Sequence, residues 1–260
     1  MSRAVLAPAK VNLALHVVGR RADRRHDLDS LVAFADIGDR LTVGPGDGLR
    51  VTGPFAAGVP ADDANIVRRA LKVVGATRAV TLDKRLPHPA GLGGGSSDAA
   101  AVLRAVGADL ETDALMALGA DVPVCLHGRA AFMRGAGEVV EPVDLPPLHA
   151  VLVNPGVAVP TGVVFEALAT KANPPLGPFD RGDPLGWIAR QRNDLEAPAI
   201  AIAPSVRDVL DAIANTGAMV ARMSGSGATC FGIHRSAEDA RVAVAALARP
   251  EWWVAACRLA

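Results

Sequence analysis

The sequence predicts an α+β fold in two halves, and three observations carry that reading. Strand-like runs alternate with helical ones irregularly, with no steady βαβ rhythm. The two richest glycine segments, at 91–95 and 225–227, lie in loops beside apolar runs. The 260 residues suit one large domain or two smaller ones, and a shift of composition near residue 150 divides them into 1–150 and 151–260.

From Ala4 to Gly19, Val11, Leu13, Leu15 and Val17 alternate with Lys10, Asn12, Ala14 and His16. That period of two is a strand, with Lys10, Asn12 and His16 on one face. Further β-like runs lie at 28–36, 40–43, 49–53 and 78–83. Between the last two, Ile66, Val67, Ala70, Leu71 and Val74 recur at helical spacing behind Asp62 or Asp63 as cap. The segment 87–95 reads as a loop, 96–106 and 112–119 as helices, and 130–134 as a strand. In the second half a helix near 161–170 runs into an exposed Pro/Gly-rich loop over 171–186. A helix at 205–217, a strand–loop–strand at 219–234, a helix at 236–248 and a closing strand at 252–259 complete the chain.

Composition narrows the function. With 27 basic and 27 acidic residues the net charge is zero, so a broad polyanion-binding field is absent and nucleic acid is excluded as a partner. Half of the residues are hydrophobic and 21% charged, an ordinary globular balance. No apolar run is long enough to span a membrane and no signal peptide opens the chain, so a soluble, cytoplasmic protein is expected. Cys125, Cys230 and Cys257 are widely spaced and odd in number, which favours small apolar core residues over a disulfide or zinc framework.

The strongest local signal is the run from Pro87 to Asp98, PHPAGLGGGSSD, a glycine loop opening a helix. Such a loop lets backbone N–H groups approach an anion while the helix dipole faces it. It matches neither GxxxxGK[ST] nor GxGxxG after a first strand. A flexible turn remains the plain alternative, but a turn needs one or two glycines rather than four in five positions. A side chain at Gly93 or Gly94 should then obstruct the phosphate. The second glycine segment, MSGSGAT at 223–229, reads by itself as a hairpin turn, and Asp121 in GADVP as a cap or solvated carboxylate. His26 lies in the charged loop 19–30, whose arginine pairs are neutralised by Asp23, Asp27 and Asp29.

Taken in order, PAKVNLALHVVGRRADRRHDLDS (8–30), PHPAGLGGGSSDAA (87–100), GADVPVCL (119–126), GAGE (135–138), NPGVAVPTGVVF (154–165) and MSGSGATCFG (223–232) closely resemble a known family. It is the 4-diphosphocytidyl-2-C-methyl-D-erythritol kinases of the non-mevalonate isoprenoid pathway, within the superfamily of galactokinase, homoserine kinase, mevalonate kinase and phosphomevalonate kinase. The glycine loops match the superfamily; PAKxNL followed by GRRxD and His26 matches the erythritol kinases. The resemblance implies a two-domain small-molecule kinase fold with an N-terminal ribosomal-protein-S5-like domain, a C-terminal α+β domain and the active site between them. It implies ATP with Mg²⁺, a cytidine diphosphate derivative of methylerythritol as substrate, and Lys10 and Asp121 as catalytic residues. It places ATP phosphates at Pro87, Gly91, Leu92, Gly93, Gly94, Gly95, Ser96 and Ser97, closed over by Gly225, Ser226 and Gly227, with Ser97 a candidate Mg²⁺ ligand. The substrate pocket maps to Lys10, Asn12, Arg25, His26, Thr161 and Phe165, Phe165 stacking on the cytosine.

Two departures from the family pattern stand out. The family has DGYH where this chain has Asp23-Arg24-Arg25-His26, so the aromatic expected opposite Phe165 is Arg25, and the chain contains no Tyr. The connection from the helix at 96 to Gly119 is also short. Two alternatives therefore stay open: a kinase of the same superfamily acting on another small alcohol, and a non-catalytic nucleotide-binding scaffold, which the presence of both Lys10 and Asp121 argues against.

Overall fold

In the computed structural model, which describes residues 2–260, the first alternating run forms β1 (Arg3–Arg20). It pairs antiparallel along its length with β2 (His26–Gly44). The two strands expected at 28–36 and 40–43 are one, because β1 continues to pair across Gly38 and Asp39. β3 (Gly48–Thr52), α1 (Ile66–Val73) and β4 (Ala79–Asp83) follow, β4 lying antiparallel to β2 and parallel to β3. The cap of α1 is Asn65, not Asp62 or Asp63: its Oδ1 accepts Val67 N–H at 2.9 Å, while Asp62 serves the turn at Ala64.

α2 (Gly94–Val106) begins two residues before the expected start. α3 (Thr112–Leu118) is as expected, but α4 (Val122–His127) is a helix that its β-branched residues conceal. Pro123 in its first turn and left-handed Gly128 after its last residue delimit it. β5 (Ala131–Gly135) pairs with β2 and with β6 (Val139–Pro142).

β7 (Leu148–Asn154) contains residue 150, so a division placed there falls within a strand. α5 (Thr161–Ala167), α6 (Pro184–Ala189), α7 (Glu196–Ile202), α8 (Ser205–Ala214), β8 (Val220–Met223), β9 (Cys230–His234), α9 (Ala237–Leu247) and β10 (Trp253–Leu259) complete the chain. The second half is an antiparallel sheet in the order β10-β7-β9-β8, joined to the first where Leu259 pairs with Ala35 of β2. A shared core spans this joint, with Val11 and Leu31 packing among Leu152, Phe231 and Leu259. All three cysteines are buried and free. Among the described residues no helix is long and apolar enough to cross a membrane.

The segment 171–186 is not simply an exposed loop. Leu176, Phe179 and Leu185 pack on the shared core, and Phe132, Phe179 and Trp187 meet edge to face at 5.2–6.0 Å. The buried Arg222 guanidinium holds the following residues by donating to the carbonyls of Ile188, Ala189 and Gln191, and to Leu13 of β1. Burial lowers its pKa to about 10.

The alternation in β1 also misleads in one respect. Irregularities in its pairing with β2 lie between Pro8 and Lys10, Asn12 and Ala14, and Val17 and Gly19. The middle one changes the face that the strand presents: Val11 and Leu13 enter the shared core, Leu15 and Val17 the core of the second half. His16 thereby leaves the face of Lys10 and Asn12, and its Nδ1 donates to the Pro174 carbonyl at 3.0 Å with Nε2 unpartnered. Burial and then nearby Arg192 hold the ring below its ordinary pKa. Protonation therefore favours the unfolded chain, so His16 contributes stability that is present above about pH 6.5 and is lost on acidification through the lowered folded value. Urea midpoints should fall between pH 7.5 and 5.5, and His16→Gln should flatten that slope.

Candidate active site

The bulge that breaks the β1 ladder at Ala9 leaves Lys10 N–H to donate to the Leu92 carbonyl at 2.9 Å, tying the strand to the glycine loop. The Lys10 side chain is buried and its Nζ faces Asp121 Oδ2 at 3.0 Å, while also donating to Asn12 Oδ1 at 2.8 Å. Asn12 is fixed in turn, donating through Nδ2 to Ser30 Oγ at 2.8 Å, so Lys10 has one defined orientation. Asp121 precedes α4 without capping it, which leaves its carboxylate for Lys10 and for the cleft, to which its side chain is 29% exposed.

Beside this pair stands the N-terminus of α2. Its cap, Gly93, is left-handed and provides no side-chain acceptor, and the first helical bond made across it is Ser97 N–H to Gly93 O. The N–H groups of Gly94, Gly95 and Ser96 precede that bond and lack intrahelical acceptors, which makes them an anion site at the positive end of a dipole. A Cβ on Gly93 would lie 3.2 Å from Lys10 Cε and 3.5 Å from Asp121 Oδ2, so this glycine gives the Lys10–Asp121 pair its room. A Cβ on Gly94 would lie 3.5 Å from the buried Lys84 Nζ and 3.6 Å from Asp39 Oδ2, so the underside of this residue faces buried charges.

The turn at 223–229 is a β8–β9 hairpin and also the second wall of the loop. Ser224 Oγ donates to Gly91 O at 3.0 Å and Thr229 N–H to Ala90 O at 3.2 Å. A Cβ on left-handed Gly91 would collide with the backbone of Ser224 and Gly227, so only glycine allows the two loops this approach. Asn193 Nδ2 holds the turn from behind, donating to Met223 O and Gly225 O at 2.8 Å each.

These groups line one cleft of about 600 Å³. Lys10, Asn12 and Asp121 meet Gly91, Gly93, Gly94, Gly95 and Ser96 there, with Gly225 and Ser226 opposite and Arg25, His26, Thr161 and Phe165 at the far end. Four expected residues do not line it. Pro87 faces a neighbouring groove, Leu92 is a core residue, and Gly227 packs behind Gly91. Ser97 is enclosed with its hydroxyl donating to Pro8 O at 2.7 Å, so of the two serines after the glycine run it is Ser96 that faces the cleft.

At the far end Arg25 does not oppose Phe165. Its N–H and Nε donate to Asp23, at 3.0 and 2.7 Å. The ring stacked on Phe165 is His26, with centroids 4.6 Å apart and planes 18° from parallel. Burial, and then Arg20 and Lys171, hold His26 below its ordinary pKa, which keeps the ring uncharged near neutrality. Arg24, where the family pattern has Gly, takes φ of +71°, a left-handed conformation that strains an L side chain. Thr161 Oγ1 lies 2.8 Å from Ser226 Oγ, linking α5 to the hairpin turn.

Sequence reasoning gave no site role to several residues that contribute to the site. His88, Gly119 and Ala120 line the cleft, and a Cβ on left-handed Gly137 of the GAGE run would collide with Ala120 O, so that turn is pressed against the segment bearing Asp121. Asn193 and the buried Lys84, Asp39 and Asp98 were also overlooked. An Asn or Asp isolated in sequence carries no signal of such partners.

The chain matches the GHMP kinases N terminal domain over residues 64–131 and GHMP kinases C terminal over 180–250. It is 51% identical to a 4-diphosphocytidyl-2-C-methyl-D-erythritol kinase of Paracoccus denitrificans, covering 100% of this chain and 98% of the relative. With the same-named protein of Dinoroseobacter shibae the identity is 54% over 96% and 92% of the two chains. A crystal structure of 4-(cytidine 5'-diphospho)-2C-methyl-D-erythritol kinase superposes with a TM-score of 0.83 at 39% identity, covering 100% of this chain and 99% of that one. The two-part α+β kinase fold, with the paired Lys10 and Asp121 beside an open helix N-terminus, thus comes with full-length relatedness, and the chain belongs to the 4-diphosphocytidyl-2-C-methyl-D-erythritol kinase family of GHMP kinases.

Proposed function

We propose that this kinase transfers the γ-phosphoryl group of ATP to the 2-hydroxyl of 4-diphosphocytidyl-2-C-methyl-D-erythritol. The observation that carries the reading is the 3.0 Å Lys10–Asp121 pair beside the open N-terminus of α2. Phosphoryl transfer asks a protein chiefly for positioning and charge stabilisation. The substrate oxygen attacks the γ-phosphorus, the bond to the β,γ-bridging oxygen breaks, and the hydroxyl proton passes to Asp121. Lys10 orients Asp121 and offsets the charge that develops on the transferred group. The N–H groups of Gly94, Gly95 and Ser96 receive the phosphates, with the 223–229 turn closing the loop from the other side.

Mg²⁺ takes oxygen ligands and keeps phosphates and water among them. The protein oxygens beside the loop are the Ser96 hydroxyl and the Asp121 carboxylate, a donor set that suits an ion arriving with the polyphosphate. Bound there, it would neutralise phosphate charge. The division of labour between 1–150 and 151–260 is part of the same reading: the first half holds ATP and Asp121, the second supplies Phe165, Thr161 and the closing turn.

For the cytidine end, Phe165 offers the stacking face and His26 its neighbouring ring, while Arg25 is half-exposed and can exchange Asp23 for the substrate's diphosphate, to which its fork of donors is suited. Loss of a base-stacking ring costs roughly 1–3 kcal/mol, about 5- to 150-fold in affinity. Phe165→Ala should raise KM for the cytidine substrate in that range, Arg25→Ala should raise it as well, and neither should alter the affinity for ADP. Arg25→Tyr should weaken the substrate if the guanidinium serves the diphosphate, and preserve or tighten it if position 25 serves the base. The deciding experiment is an ADP-release assay over the cytidine substrate and a panel of cytidine-free alcohols. Preferred turnover of a cytidine-free alcohol, with both alanine variants unchanged, would transfer the reading to another small-alcohol kinase.

A further inference from the structure

We infer that Lys84, Asp39 and Asp98 form a buried positioning cluster that pins both feet of the phosphate loop, so that nucleotide affinity depends on three side chains that do not line the cleft. Lys84 follows β4, Asp39 lies on β2 and Asp98 on α2; their side chains are 2%, 0% and 3% exposed. Lys84 Nζ donates to Asp39 Oδ2 and, at 2.9 Å, to Asp98 Oδ2. Asp39 Oδ1 accepts the backbone N–H groups of Arg85 at 2.6 Å and Leu86 at 2.9 Å. Those two residues lead directly into the loop, so Asp39 holds its first foot.

The second foot is the start of α2. Asp98 lies one turn beyond Gly94, and a Cβ on Gly94 would be 3.5 Å from Lys84 Nζ and 3.6 Å from Asp39 Oδ2. The helix end that presents the free N–H groups thus rests on the ammonium and on the carboxylate that holds the first foot. A single Lys84 cation joins the two, across a loop whose spread sets where those N–H groups point.

Stability alone is a poor reason for such an arrangement. Two carboxylates and one ammonium removed from water suffer a desolvation penalty that apolar residues of similar volume avoid. Asp98 Oδ1 has no hydrogen-bond partner, and burial, opposed by Lys84, raises the Asp98 carboxyl to about 7. What the cluster supplies in return is a fixed geometry: its hydrogen bonds tie together β2, α2 and the 84–86 segment that enters the loop. Small displacements from a mutation far from the chemistry, about 1 Å, can cost on the order of 10²-fold in rate.

This inference rests on the reading of Gly94, Gly95 and Ser96 as the phosphate cradle. The test is steady-state kinetics and ADP calorimetry on full-length Asp98→Asn and Lys84→Met. The expected result is a rise of about 10- to 100-fold in KM for ATP and in the ADP dissociation constant, what one misaimed hydrogen bond to a charged phosphate is worth, with KM for the alcohol nearly unchanged. A merely structural cluster would lower the melting temperature and leave the ADP constant of the folded protein unmoved. That outcome, or an equal rise in both KM values, overturns the inference. Because Lys84→Met can fail to fold, the unaltered enzyme supplies a further measurement: ADP should slow amide exchange at Arg85 and Leu86 more than at β9, and equal slowing also overturns it. Should Ser96→Asp leave ADP binding intact, the cradle reading itself falls, and the inference with it; Ser96→Asp losing ADP while Asp98→Asn does not would overturn the inference alone.

Discussion

Asp121→Asn is expected to lower kcat by about 10²- to 10⁴-fold while leaving ADP affinity nearly intact, the usual contribution of a positioned general base. Asn preserves the size and the hydrogen bond to Lys10 but cannot take the substrate proton. It also removes the counter-charge 3.0 Å from Lys10 Nζ, whose other side-chain partner is Asn12 Oδ1. Losing one partner of a fully buried pair costs about 3–5 kcal/mol, and the loss here should be smaller, because the Asp121 carboxylate is partly open to the cleft. Lys10→Ala should damage turnover comparably, since among the described residues Lys10 is the cation paired with Asp121. Single-turnover rates and ADP calorimetry on both variants check this; normal turnover in Asp121→Asn would remove it from the mechanism.

The second large effect is expected from Ser96→Asp. A carboxylate in the first turn of a helix is favourable, by about 0.3–1 kcal/mol, so the variant should fold as well as the parent or better. The same charge occupies the end of α2 where phosphates would sit. Two like charges about 4 Å apart repel by about 4 kcal/mol at an effective dielectric near 20, which corresponds to a loss of affinity on the order of 10²- to 10³-fold. Stability and ligand binding should therefore move in opposite or independent directions, a separation that general damage to the fold cannot imitate. A thermal melt and an ADP titration of the same sample suffice, and unchanged titration would show the loop to be a turn.

Much of this was legible in the sequence because local rules governed it. The glycine run carries its pattern in the number of glycines before a helix start, whereas Lys10 and Asp121 are singled out only by the resemblance to a kinase family. Period-two alternation found β1, and the hairpin turn at 223–229 followed from glycine between apolar runs. Where a local pattern was ambiguous the reading failed in identifiable ways. The β-branched residues of α4 hide a helix set by Pro123 and Gly128, and the Pro/Gly-rich segment 171–186 conceals Phe179, which is partly buried by contacts with nearby Trp187 and with Phe132 from a distant part of the chain.

The sequence by itself determined the fold class and the two glycine loops, because each depends on residue type and short spacing, and it pointed to Lys10 and Asp121 only through the resemblance to a kinase family. Tertiary structure alone decided the rest. It turned His16 away from Lys10 through a bulge, put His26 rather than Arg25 against Phe165, directed the missing Cβ of Gly94 at Lys84, and joined Lys84, Asp39 and Asp98 from three elements. The physical reason is common to all four. Ladder register, side-chain direction and the pairing of buried charges are set by partners on other elements of the fold, and a period or a motif contains no information about which partner arrives.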